Sequence, residues 1–190
     1  AATLRRNGVE AGDVVAAMLP NTSGLVVTLF AAWRLGAAVT PINPSLVGAE
    51  AAYQITDAAA KVLVSDAAVD PAITVPATVT VRELLSSQAD EEAPVEYADD
   101  ALALLIYTSG TTGRPKGVML DHANLNAMCG MMIESFNLTA VDHSLLILPL
   151  FHVNGIVVST LSPLLVGGRA TIAGRFSPKT FFDRLERSGA

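Results

Sequence analysis

The chain has little cysteine, little charge and no basic cluster, and each shortage removes a class of function. One cysteine, Cys129, in 190 residues excludes an intramolecular disulfide and any metal site built from several thiolates. It sits in an apolar helical pattern, Ala127-Met128-Cys129-Gly130-Met131-Met132, which predicts a small buried core residue rather than a nucleophile. The methionines Met128, Met131 and Met132 read as core filling. So low a cysteine count suits a reducing compartment, and a cytoplasmic location is expected. Charged residues make up 16% of the chain and the net charge is -6, which argues against nucleic acid or an anionic membrane as main partner. There is no charged start followed by a long apolar run, as a signal peptide requires. The most hydrophobic stretch, 145–165, is interrupted by Pro149, His152, Asn154, Gly155, Ser159, Ser162 and Pro163, so no transmembrane segment is expected. No initial Met is present, and the first residues read as the last turns of a helix stopped at Gly8. The far end is a helix over 177–188 with Phe181, Phe182 and Leu185 on one face, stopped by Ser188-Gly189, with no strand after it. The expectation is a segment incomplete at both ends.

Hydrophobic residues make up 51% of the chain, enough for a sizeable core. Short apolar runs alternate with helical patterns. Strands are predicted at 13–19, 37–42, 61–65, 101–107, 118–120, 144–150 and 169–173. Helices are predicted from the caps Asn21-Thr22-Ser23 to Leu35, and over 48–60, 124–136 and 154–165. Trp33 reads as packed and Arg34 as exposed. Residues 71–81 read as extended and 86–100 as an acidic surface loop. His122 falls near a helix start and His143 on a surface loop. Strands apolar on both faces and alternating with helices give an α/β class: a mostly parallel sheet with helices on both faces.

The chemistry lies in Tyr107-Thr108-Ser109-Gly110-Thr111-Thr112-Gly113-Arg114-Pro115-Lys116-Gly117-Val118. Its glycines permit tight turns, its hydroxyls and N–H groups can surround phosphate oxygens, and Lys116 adds a compact positive charge. The spacing is not that of a Walker A loop, because Pro115 stands where that pattern needs its second glycine. Nor does a Gly-x-Gly-x-x-Gly run open a helix, which disfavours a dinucleotide site. Position by position, the string resembles the phosphate-binding signature of the adenylate-forming superfamily, which includes acyl-CoA synthetases, aryl-CoA ligases, luciferase and peptide-synthetase adenylation domains. Gly12-Asp13-Val14-Val15, Leu19-Pro20-Asn21, the block 35–44 and Leu148-Pro149-Leu150-Phe151-His152-Val153-Asn154-Gly155 are similar to further blocks of that family.

The resemblance implies part of the large N-terminal domain of an ATP-dependent carboxylic acid–CoA ligase. Such an enzyme forms an acyl-adenylate and then a thioester with CoA. It implies that Thr108, Ser109, Gly110, Thr111, Thr112 and Gly113 wrap the phosphates of ATP, that Lys116 pairs with them, and that Thr108 is a ligand for Mg2+. Phe151, His152, Asn154 and Gly155 are implied in the acyl pocket, with Lys116 and His152 as the catalytic side chains. Beside these roles stand plainer ones: a hydrogen-bonded core histidine for His152 and a helix cap for Asn154. The Phe-His string is closer to CoA ligases than to peptide-synthetase domains, which usually carry Phe-Asp; a fatty or other hydrophobic acid is the expected substrate, with an aryl or dicarboxylic acid left open. The family's adenine, ribose and distal lysine signatures do not occur in these residues, so residues 1–190 alone are expected to be inactive. The alternatives are a non-catalytic nucleotide- or acyl-binding module, an adenylation domain for aryl or other acids, and an interaction domain whose loop binds nothing.

Overall fold

The structure is a computed structural model and describes residues 1–86, 93–109 and 113–190. The elements run α1 (Ala2–Arg6), β1 (Val14–Ala17), α2 (Ser23–Trp33), β2 (Ala38–Pro41), α3 (Gly48–Asp57), β3 (Val62–Val64), β4 (Ala77–Val79), α4 (Val81–Ser86), β5 (Leu102–Thr108) and β6 (Lys116–Asp121). They continue with α5 (His122–Phe136), β7 (His143–Leu146), α6 (Val153–Ile156), α7 (Ser162–Leu165), β8 (Arg169–Ile172) and α8 (Phe181–Ser188). The chain clusters into two compact units, Ala1–Pro20 with Gly24–His122, and Asn21–Ser23 with Ala123–Ala190.

The first unit is built on a six-stranded sheet of order β4-β3-β1-β2-β5-β6. All neighbours pair in parallel except β5 and β6, which are antiparallel. Val15, Ala16, Val39, Val62, Leu63 and Val64 are fully buried, which is why these strands read as unbroken apolar runs. From β1 to β2 the chain steps one way, and from β2 to β3 it returns across β1. Right-handed crossovers therefore place α2 and α3 on opposite faces of the sheet. Ala51 and Ile55 seat α3 against Ala16, Ile42, Leu63 and Ile73. At the end of α2 the buried Trp33 donates its indole N–H to the Ala103 carbonyl at 2.9 Å. Arg34 is half-buried, not exposed as expected.

β4 lies within the tract expected to be extended, and α4 falls between that tract and the expected loop, where no element was predicted. β4 pairs with β3 and covers its outer edge. α4 starts on a reciprocal cap: the Glu83 carboxylate accepts from the Thr80 N–H at 2.6 Å, and the Glu83 N–H donates to the Thr80 hydroxyl at 3.2 Å. The Thr-x-x-Glu signal was present in the sequence and preceded too short an apolar run to stand out. Ser86 closes α4, residues 87–92 of the expected surface loop lie outside the described residues, and 93–100 are exposed without helix or strand.

In the second unit β7 and β8 pair in parallel. The helix expected over 154–165 is instead α6, a π-helical turn (Val157–Leu161) and α7. Pro163 has no N–H to donate, and its ring would collide with the carbonyl four residues back, so the helix widens there. The Thr160 and Ser162 hydroxyls reach back five residues to the carbonyls of Gly155 and Val157, at 2.9 and 2.8 Å. Cys129 is buried as expected, and burial pushes its thiol pKa up. Met131 is 56% exposed and so is not core filling, while Met128 and Met132 are half-buried. His143 is not on a surface loop: it opens β7, half-buried, with Nε2 2.7 Å from the Thr171 hydroxyl of β8. α8 ends as expected, with Gly189 left-handed at φ 66°, but its Phe182 is 70% exposed. Among the described residues no helix is long and apolar enough to cross a membrane.

Thr139 and Asp142 repeat the Thr80–Glu83 arrangement ahead of β7, with the Thr139 N–H and hydroxyl donating to one carboxylate oxygen at 2.7 and 2.8 Å. The backbone N–H bond first and the hydroxyl bond second hold both carboxyl pKa values below their ordinary range. A depressed folded pKa gives stability that is fully present above the unfolded value and lost as pH falls through the folded one. The double variant Glu83→Gln/Asp142→Asn should therefore show a flatter fall of urea stability below about pH 4. Parallel acid limbs for variant and parent would show that neither carboxylate makes these bonds in solution.

Candidate functional site

The glycine- and threonine-rich loop is the connection of an antiparallel hairpin. β5 and β6 pair Tyr107 with Gly117 and Thr108 with Lys116. A loop over 108–117 and a strand over 118–120 were expected; the ladder instead takes in Thr108 at one end and Lys116 at the other. The register thus sets a hydroxyl and an ammonium side chain on paired residues at the loop's base. Thr108, Ser109, Gly113, Arg114 and Lys116 are exposed, while Gly110, Thr111 and Thr112 lie outside the described residues. Gly113 has φ 89°, a conformation strained for any residue with a side chain, and a Cβ there would meet nothing within 4 Å. Gly117 leaves room for its neighbours in a different way: a Cβ would come within 2.9 Å of Leu105 Cδ1 and 3.3 Å of Tyr107 Cζ, so those side chains would have to shift.

Two residues of α3 that the sequence reading passed over meet this hairpin. The Tyr107 hydroxyl donates to the Asp57 carboxylate at 2.7 Å. Burial first, then that hydrogen bond and the charge of Asp57, push the phenol pKa well up, so Tyr107 stays a neutral donor. The Tyr53 hydroxyl donates to the Pro115 carbonyl at 3.3 Å, and its ring meets that of Tyr107 edge-on at 6.5 Å. Tyr53 and Asp57 are four residues apart, hence on one face of the helix. That spacing was the only signal in the sequence, and it does not name the partners.

The described polar side chains of the loop are hydroxyls and cations, without a carboxylate among them, which suits phosphate oxygens. Metal ligation is another matter. Among the described residues no group of three His, Cys, Asp or Glu could hold an ion, and the Thr108 hydroxyl alone is a single ligand.

In the second unit the segment 149–155 makes a tight turn into α6. The N–H of His152 donates to the Pro149 carbonyl at 3.1 Å, and His152 occupies the N-cap position in extended backbone. Its side chain is exposed, which excludes the core-histidine role, and its ring lies 4.7 Å from that of the half-buried Phe151. Asn154 lies inside α6 and is exposed, so it is not the cap. Gly155 is buried, and a Cβ there would be 2.5 Å from the Pro149 carbonyl oxygen. Asn21, expected among the caps of α2, instead spans this turn: its amide donates to the Leu148 carbonyl at 2.7 Å and accepts from the Leu150 N–H at 2.8 Å. The sequence hides this because the partners are well over a hundred residues away. His122, stacked on Tyr97 at 4.1 Å in the first unit, has its pKa lowered by burial and belongs to neither site.

Residues 1–190 match the AMP-binding enzyme family. The chain is 34% identical over 203 residues to the oxalate–CoA ligase of Arabidopsis thaliana, covering 96% of this chain and 40% of that protein. It is 35% identical over 190 residues to a feruloyl-CoA synthase of an Amycolatopsis species, covering 97% of this chain and 38% of that protein. The chain thus spans about two-fifths of the length of these curated relatives. A solved structure of the Bacillus subtilis O-succinylbenzoate coenzyme A synthetase, in complex with ATP and magnesium ion, superimposes with a TM-score of 0.84. That match has 28% identity and covers 97% of this chain and 50% of that one.

Asn21→Ala removes both partners of the Leu148–Leu150 turn and should cost about 1–3 kcal/mol. The local readout is amide hydrogen exchange at Leu150, expected to lose protection. Unchanged exchange there would show that the side-chain amide does not hold the turn.

Proposed function

Because the chain belongs to the AMP-binding enzyme family, we propose that the protein is an ATP-dependent carboxylic acid–CoA ligase. The observation that carries this reading is the hairpin loop, whose Thr108 and Lys116 are paired across its base and whose described polar side chains offer only hydroxyls and cations. A carboxylate is a poor electrophile until one of its oxygens is replaced by a good leaving group. In the proposed reaction a carboxylate oxygen attacks the α-phosphorus of ATP, and the bond to the bridging oxygen breaks, releasing pyrophosphate. The CoA thiol, giving up its proton, then attacks the acyl carbon and AMP departs with its phosphate oxygen. Lys116 and the hydroxyls of Thr108, Ser109, Thr111 and Thr112, with the backbone at Gly110 and Gly113, would hold the β- and γ-phosphates and balance the charge that develops on pyrophosphate. Mg2+ would enter on the ATP phosphates, with the Thr108 hydroxyl as a protein ligand, and supply further charge neutralisation there.

Phe151, His152, Asn154 and Gly155 are assigned to the acyl pocket. The exposure of His152 supports this for that residue, since its ring is available to a ligand. For Gly155 the close approach to Pro149 supports a role in shaping the turn. A fatty or other hydrophobic acid is the first reading of the substrate, favoured by the name of a long-chain-fatty-acid–CoA ligase relative; the Phe151-His152-Val153-Asn154-Gly155 string bears on the CoA step and not on the acid. A small dicarboxylic or an aromatic acid is the second reading, favoured by the names of the oxalate and feruloyl relatives.

The test is carboxylate-dependent ATP–pyrophosphate exchange by the longest natural polypeptide containing this chain, with oxalate, aromatic, medium-chain and long-chain acids. Exchange is expected with a hydrophobic acid, and Lys116→Ala should lower it by about a hundredfold. Exchange with oxalate or ferulate alone would move the substrate to the second reading. A folded protein that exchanges with no acid would be a binding module instead.

A further inference from the structure

We propose that Tyr53 and Asp57 of α3 are positioning residues for ATP: they hold the two ends of the phosphate loop and so set the place of Lys116. The proposal rests on the phosphate reading of that loop. A loop rich in glycine gains less from its donors when they are not already placed, because ordering them on binding costs conformational entropy. Its ends are where order can be imposed, and both ends meet α3. On the incoming side Tyr107, the residue before Thr108, donates its hydroxyl to Asp57 at 2.7 Å. On the outgoing side Pro115, the residue before Lys116, has its carbonyl bound by the Tyr53 hydroxyl at 3.3 Å. Pro115 has no N–H, so its carbonyl is the one backbone group through which a hydrogen bond can hold it.

The two bonds form one device. The rings of Tyr53 and Tyr107 meet edge-on, with planes at 76°. Tyr107 also lies across from Gly117, the residue after Lys116, where a Cβ would approach its ring to 3.3 Å. Lys116 is thus bracketed by a residue tied to α3 on one side and one that leaves room for the Tyr107 ring on the other. α3 is itself a firm base, since Ala51 and Ile55 are buried against the sheet. None of these groups needs to touch ATP. Their effect would be on how much of the time Lys116 and the loop hydroxyls stand ready for the phosphates.

The test uses the full natural polypeptide in ATP–pyrophosphate exchange, with Tyr53→Phe, Asp57→Ala, Asp57→Asn and Lys116→Ala. Tyr53→Phe keeps the ring contact and removes only the hydroxyl. It should raise KM for ATP about two- to tenfold, with KM for the acid unchanged and Tm close to the parent. Asp57→Ala should do the same, and Asp57→Asn, which keeps an acceptor oxygen, should restore most of the loss. An unchanged KM for ATP in Tyr53→Phe and Asp57→Ala, beside a strong effect of Lys116→Ala, would overturn the positioning role and leave the phosphate loop standing. Equal rises in KM for ATP and acid that follow a falling Tm would overturn it as well, in favour of plain fold stability. No effect of Lys116→Ala would remove the phosphate reading, and this proposal with it.

Discussion

The antiparallel pairing of β5 with β6 is the constraint on which the first unit's chemistry depends. β5 is bonded on its other side to β2 as the last parallel strand of the sheet, and its buried Ala103, Leu104 and Ile106 fix its position by core packing. β6 runs back along its outer edge and turns what would be a free strand end into a hairpin. The register of that hairpin decides which residues face each other at the loop. A shift of one residue would send each β6 side chain to the opposite face of the sheet and take the Tyr107 ring off Gly117. Gly117 suits this register, because Leu105 and Tyr107 pack into the space where its side chain would be.

Around this hairpin the helices are not passive cover. α2 fixes the start of β5 through the Trp33 indole on the Ala103 carbonyl, and α3 meets its end through Asp57 on Tyr107. A strand buried in a sheet has little freedom along most of its length, but its exposed ends fray. Side-chain hydrogen bonds near both ends limit that fraying where the loop begins. The second unit solves a similar problem differently. Its turn before α6 is held by a distant amide, Asn21, bonding as a backbone neighbour would to Leu148 and Leu150, and by the absence of a side chain at Gly155. Here the glycine stands where backbone approaches backbone, and the exposed ring of His152 lies in the same turn.

Much of the fold was legible. Strands β1 and β3 are apolar throughout and β2 and the first part of β5 nearly so, because most of their side chains are covered, and such runs announce themselves. The break in the helix over 153–165 was foreshadowed by Pro163, yet whether a proline kinks, ends or widens a helix depends on its surroundings, here including the Thr160 and Ser162 hydroxyls bonded back to the Gly155 and Val157 carbonyls. β6 was underestimated because much of it is exposed, so it carries no alternation to read. Met131 and His143 were misplaced for the same kind of reason, since a side chain's burial depends on what packs against it and not on its own polarity.

The sequence by itself determined the α/β class, the glycine- and threonine-rich string and the family, because runs of apolar residues and short ordered motifs are local properties. The tertiary structure alone decided that the loop is a hairpin with Thr108 and Lys116 paired at its base. It alone showed that Tyr53 and Asp57 meet that loop, and that Asn21 braces a turn far along the chain. These facts concern which strand pairs with which and which side chains meet after folding. The side-chain contacts of Tyr53, Asp57 and Asn21 join residues fifty or more positions apart, where no local pattern can record them.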